Sequence, residues 1–155
     1  MESLHAVVID LSCGPAIEAV RKLDVPVYQF YPSDAGTLAV DVQIPSLLVP
    51  GSKKLGGDGD AADLVELLGV PPMPASHVTG IFGRPINEVS KDMGALMVEA
   101  ARSKAEFDGI LINTFVSLEE RALRALADPR CCPDGVVLPP VYAVGPLVDK
   151  AAAGA

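Results

Sequence analysis

Residues 5–33 read HAVVIDLSCGPAIEAVRKLDVPVYQFYPS, one strand, turn, helix, strand unit with a carboxylate at its turning point. Ala6-Val7-Val8-Ile9 is continuously apolar rather than alternating, the pattern of a parallel strand buried on both faces. Asp10 ends that run. Pro15 suits a first helical position, where its missing N–H has no partner to lose, and Ala16, Ile17, Val20 and Leu23 then recur on one helical face. Val25-Pro26 closes the helix, and Val27 to Tyr31 reads as a second strand, with Pro26 at its first residue. A right-handed crossover is expected. It places Asp10 at the carboxyl end of a parallel strand beside a helix start, where open α/β sheets bind ligands. The plainer alternative is a turn residue that caps the helix.

The same grammar repeats downstream. Ser33 is placed to cap a helix through Leu38, Ala39 and Val42, closed by Pro45. Asn87 to Phe107 carries Val89, Met93, Leu96, Met97, Ala100 and Ala101 at helical spacing, which predicts the longest amphipathic helix, with the methionines in the core. Gly109 to Thr114 is another buried strand. Ser117 and Glu120 have the spacing of a capping box opening a helix to Leu126, and Val141 to Val144 is a last strand after a loop from Asp128. The class expected is α/β, a Rossmann-like parallel sheet with helices on its faces. Between Pro45 and Pro85 regularity is lost: Gly51 to Asp60 reads as a solvated loop, Leu64 to Leu68 as one helical turn at most, and Pro71 to Ser76 as stiff and extended.

Composition narrows the functions. Half of the 155 residues are hydrophobic and 21% are charged, which excludes disorder as the dominant state. Twenty acidic residues against twelve basic give a net charge of −8, so nucleic acid and anionic membranes are poor partners. No apolar run reaches the roughly 20 residues of a membrane span, and the N-terminus has no signal-peptide pattern. A soluble, cytoplasmic protein is expected. Cys13, Cys131 and Cys132 with His5 and His77 match neither a disulfide framework nor a zinc spacing. The glycine run lacks the Lys-Ser/Thr ending of a phosphate loop, and Leu11-Ser12-Cys13-Gly14 lacks the spaced glycines of a dinucleotide site. His77 is read as a loop residue within reach of a ligand.

Four stretches taken together, VVIDLSCGPAIEAVRKLDVPVYQFYPS (7–33), LGVPPMPASHV (68–78), FDGILINTFVSLEERALRAL (107–126) and PPVYAVGPLV (139–148), resemble the plant family 1 UDP-sugar-dependent glycosyltransferases, in particular the flavonoid, anthocyanidin and hydroquinone glucosyltransferase branch. That resemblance implies a GT-B fold of two facing Rossmann-like domains and inverting transfer of a hexose to a small hydroxylated aglycone. The UDP-sugar is a co-substrate, and no cofactor is implied. Residues 1–148 then correspond to part of the N-terminal acceptor-binding domain, and residues 149–155 to the start of an interdomain linker. Asp10 matches the family aspartate that orients and charge-balances a catalytic histidine. Ser33 falls next to a position that contacts the donor sugar in some members, where this chain has Pro32, and His77 remains a substrate-binding candidate. The family histidine lies in an earlier segment without a counterpart here, and the donor signature, which starts with Trp, has none either. His5 is no replacement, because a strand of some five residues, roughly 16 Å, separates it from Asp10. Alone, the chain is expected to be inactive. The rival expectation is a non-catalytic small-molecule-binding or interaction module.

Overall fold

A computed structural model describes residues 3–48, 64–82, 89, 91–132 and 135–147. Six strands and five α-helices follow one another along it: β1 (Val7–Asp10), α1 (Ile17–Arg21), β2 (Val27–Tyr31), α2 (Ala35–Gln43), β3 (Leu64–Val65), β4 (Met73–Pro74), α3 (Ala75–Phe82), α4 (Lys91–Ser103), β5 (Gly109–Ile112), α5 (Val116–Leu126) and β6 (Val141–Ala143). The four strands expected from the apolar runs form one parallel sheet in the order β1-β2-β5-β6, with Val8 opposite Tyr28 and Leu111 opposite Tyr142.

That order runs in one direction across the sheet. Right-handed crossovers that always step the same way must put every connecting helix on the same face. The core obeys this. Tyr31, Ile110 and Ile112 pack with Leu38, Ala39 and Val42 of α2 and Ala122 and Leu126 of α5, while Val27 and Ile9 pack with Ile17 and Val20 of α1. The opposite face carries Val8, Tyr28, Phe30, Leu111 and Tyr142; Val8 is 53% and Tyr142 46% exposed. Burial of both faces of β1 is therefore corrected: helices flank the sheet as expected, but among the described residues they pack on one side and leave the other open. Tyr28 and Tyr142 meet edge to face across that open side, ring centroids 6.4 Å apart. Because so much apolar surface faces water, the isolated chain should bind a hydrophobic dye at neutral pH. Val8→Lys should reduce that fluorescence while moving stability by no more than about 0.5 kcal/mol. Unchanged dye binding would show that the fluorescence arises elsewhere.

Other departures have local causes. Leu64 and Val65 form a strand, not a helical turn, because Val65 and Leu64 pair antiparallel with Met73 and Pro74 over a second small core of Leu47, Leu67, Val70 and Val78. Where Pro15 was expected to open a helix, Leu11–Ala16 is 3-10 and the α-helix proper starts at Ile17. Pro45 does not stop the chain either; a 3-10 turn carries it through Ile44–Leu47. α4 is described from Lys91, so residues 87, 88 and 90 of the expected helix lie outside the described residues, as do the glycine run at 51–60 and the linker at 149–155. Its apolar side is only partly core: Ala101 is buried and Met97 half-buried, but Met93 is 47% and Leu96 64% exposed. No helix among the described residues is long and apolar enough to cross a membrane.

Candidate functional site

β1 and β2 end side by side, Asp10 in register with Phe30, so Asp10 and Ser33 stand at the same carboxyl edge of the sheet. Asp10 has extended backbone and caps the 3-10 turn that follows. The Ser12 backbone N–H donates to its Oδ1 at 2.9 Å and the Ser12 hydroxyl donates to the same oxygen at 2.6 Å. The hydroxyl bond first, then the backbone N–H, holds the carboxyl below its ordinary value. Asp10 is exposed, so the carboxylate is ionised and accessible at neutral pH.

Ser33 is half-buried in the turn after β2 but does not cap α2. Asp34 does, accepting from the Thr37 N–H at 2.7 Å. Glu119, on α5, completes the cap from a distance: its two oxygens accept from the Ala35 and Gly36 N–H groups, each at 2.9 Å. The expected Ser117/Glu120 capping box is not formed; α5 has no side-chain cap, Glu119 leaves helical geometry to reach α2, and Glu120 pairs with Arg124. Two carboxylates thus already hold the α2 amides to which a phosphate would otherwise be drawn.

Asn113 binds the neighbouring strand ends together. Its Nδ2 donates to the Pro32 carbonyl at 3.3 Å, and its Oδ1 accepts from the Leu147 N–H at 2.8 Å. Gly145 passes so close that a Cβ there would lie 2.6 Å from that Oδ1 and 2.8 Å from the Asn113 carbonyl carbon. Only glycine allows this approach.

A cavity of about 270 Å³ opens beside this edge, lined by Leu11, Tyr31, Asp41, Met97, Ala100, Ala101 and Lys104. Leu11 connects it directly to Asp10. Lys104 follows α4 with its side chain 5% exposed, and its Nζ lies 3.2 Å from Asp41 Oδ2 and 3.3 Å from the Ala100 carbonyl. Burial first, then the charges of Asp41 and Asp34, raises the Tyr31 phenol above its usual value and keeps it protonated. Asp41, Lys104, Asn113 and Glu119 are absent from the candidates read off the sequence. Their only signal was a charge on the apolar side of α2, another just past the end of α4, and polar groups where strand meets helix.

The two histidines go elsewhere. His5 lies before the opposite end of β1 from Asp10, its Nε2 2.9 Å from the Ser3 hydroxyl. His77 is exposed on α3, a helix rather than the loop expected, because Ala75 and Val78 on the same turn anchor it in the small second core. Cys131 and Cys132 are buried and Cys13 is exposed. Burial pushes the Cys132 thiol up, against the opposing charge of Lys104.

Comparison with known proteins gives this geometry a context. No protein-family model matches the chain. It is 33% identical over 148 residues to an anthocyanidin 5,3-O-glucosyltransferase from a Rosa hybrid cultivar, and 32% identical over 148 residues to UDP-glucose flavonoid 3-O-glucosyltransferase 6 of Fragaria ananassa; each alignment takes in 95% of this chain. A solved UGT transferase of Siraitia grosvenorii, crystallised with UDP, superposes with a TM-score of 0.68 at 28% identity over 93% of the chain. The chain belongs with the plant UDP-glycosyltransferases. Its one-directional sheet is a piece of the GT-B fold of that family. It spans 29% of the length of each of the two curated relatives and 30% of the solved chain.

Proposed function

We propose that this chain supplies part of the acceptor side of a UDP-sugar-dependent glycosyltransferase that moves a hexose, glucose in the simplest case, onto a hydroxyl of a small phenolic or flavonoid acceptor. The observation that supports it is the pairing of an accessible, pre-ionised Asp10 with an adjoining cavity at the carboxyl edge of the sheet. In this reading residues 1–148 are acceptor-domain structure and residues 149–155 begin the linker to a donor domain. The working compartment is the cytoplasm.

A phenolic oxygen attacks an anomeric carbon well only once its proton is being removed, and an imidazole near neutrality is the suitable base. Asp10 is not that base. Its place is behind a histidine contributed by another part of the enzyme, where it fixes the tautomer and balances the imidazolium that forms. Ser12 occupies Oδ1, which leaves the second oxygen to accept the imidazole N–H. The reacting hydroxyl then lies between that histidine and the sugar, while the rest of the acceptor extends past Leu11 toward the cavity. Ser33, two residues past the end of the adjoining strand, is a donor-side contact in this arrangement. His77, exposed on the helix that the separate small core anchors, is an outer substrate contact.

The chain alone should form no product from UDP-glucose and a phenolic acceptor. Joined to the preceding segment and the donor domain of a relative, it should form the glycoside, read by mass spectrometry. Turnover by the chain alone would overturn this division of labour. A second reading, a binding module without chemistry, is favoured by one observation: Leu11, Tyr31, Met97, Ala100 and Ala101 line a cavity of about 270 Å³, large enough for an aromatic ring. Binding of a phenol by the chain, with no transfer by the joined protein, would establish it.

A further inference from the structure

The geometry points to the Asp41–Lys104 pair as a reader of a second ring hydroxyl on the acceptor. This rests on the acceptor reading above and adds to it the class of aromatic compound that the cavity selects.

Size comes first. A dry apolar cavity of about 150 Å³ is enough to take benzene. One of about 270 Å³ therefore holds a substituted aromatic ring, and the second ring of a longer acceptor fits it better than a whole multi-ring skeleton does. Leu11, Met97, Ala100 and Ala101 give that ring apolar walls.

The polar groups then decide the substituent. Lys104 carries three N–H donors, and two meet protein acceptors, Asp41 Oδ2 at 3.2 Å and the Ala100 carbonyl at 3.3 Å. The third has none among the described residues. Asp41 is the wetter partner, its side chain 37% exposed against 5% for Lys104, and a carboxylate has more acceptor sites than one lysine contact uses. A group binding here meets an anion and a cation at once. A ligand carboxylate is repelled by Asp41, a ligand ammonium by Lys104, and an ether oxygen gives Asp41 nothing. A hydroxyl satisfies both, donating to the carboxylate and accepting from the ammonium. Such bonds to charged groups are the stronger kind.

The ligand series needs no substitution. NMR titrations of the intact chain with phenol, anisole, benzoate and benzylamine should show phenol binding roughly tenfold or more tighter than anisole, with both charged compounds weaker still. Variants should then change the selectivity and not merely weaken it. Lys104→Met should favour benzylamine relative to phenol, and Asp41→Asn should favour benzoate. In the joined enzyme, 4,4′-dihydroxybiphenyl should exceed 4-hydroxybiphenyl in kcat/KM by a similar factor, carried by KM with kcat unchanged. Equal binding of phenol and anisole overturns the inference even if the joined enzyme transfers sugar. Selective binding without transfer overturns the acceptor reading and leaves the hydroxyl site standing.

Discussion

Asp10→Asn, made in the joined enzyme, should lower kcat by about 10²- to 10⁴-fold while moving the acceptor KM by no more than about twofold. The substitution isolates charge from shape. The asparagine oxygen can still accept both Ser12 donors, so the turn after β1 keeps its geometry. What disappears is the negative charge opposite the imidazolium, together with the preference for the productive tautomer, since an amide presents donors where the carboxylate presented none. A loss confined to KM would place Asp10 against the acceptor ring instead, and a variant as fast as its parent would remove it from the mechanism.

The second large effect concerns stability. Asp41→Asn should destabilise the chain by about 3 kcal/mol, because it strands a buried ammonium, whereas Lys104→Met should cost less than about 1 kcal/mol. The asymmetry follows from the exposures of the two side chains, 5% for Lys104 and 37% for Asp41. Methionine replaces the lysine stem at similar volume, and the aspartate left behind can turn to water. Urea melts of the two variants decide it through the midpoint at constant slope. Equal losses would mean that the pair is far less buried than its geometry requires. Should the asparagine variant be too unstable to titrate, Lys104→Met and the wild-type ligand series still decide the cavity's selectivity.

The sheet was readable from sequence because its strands announce themselves. Val7-Val8-Ile9, Val27 to Tyr31 and Gly109 to Ile112 are apolar runs too short for helices, each followed by a helical period, and their centres pair as expected. Most of what failed has a partner far away in sequence; the α2 cap, where Asp34 accepts from Thr37, is the local exception. Ser33 and Asp34 are equally good caps on paper, and the backbone chose Asp34. Glu119 was read past because its partners, the amides of Ala35 and Gly36, lie across the fold. Val8 looks like any core valine, and only the strand order shows that its face is open. Asp10 was singled out by its place at the end of a strand, whereas Asp41 and Lys104 sit within or beside helices and gain meaning only when α2 and α4 meet.

Along the sheet runs a single long-range seam: β2 and β5 join where Val27 donates to Asp108, 81 residues away in sequence. On either side stands a compact half, β1-α1-β2 and β5-α5-β6, closed by its own short crossover. The entropy of closing a loop grows only with the logarithm of its length, about 0.6 kcal/mol per doubling. A change of length in a loop between the halves therefore costs little closure entropy, although α2 within that stretch is fixed by its packing on Tyr31, Ile110 and Ile112. That intervening stretch also supplies every wall residue of the cavity except Leu11 and Tyr31. Most of the cavity wall is thus carried by α2 and the end of α4, between the halves, while Asp10 is carried by the first half itself.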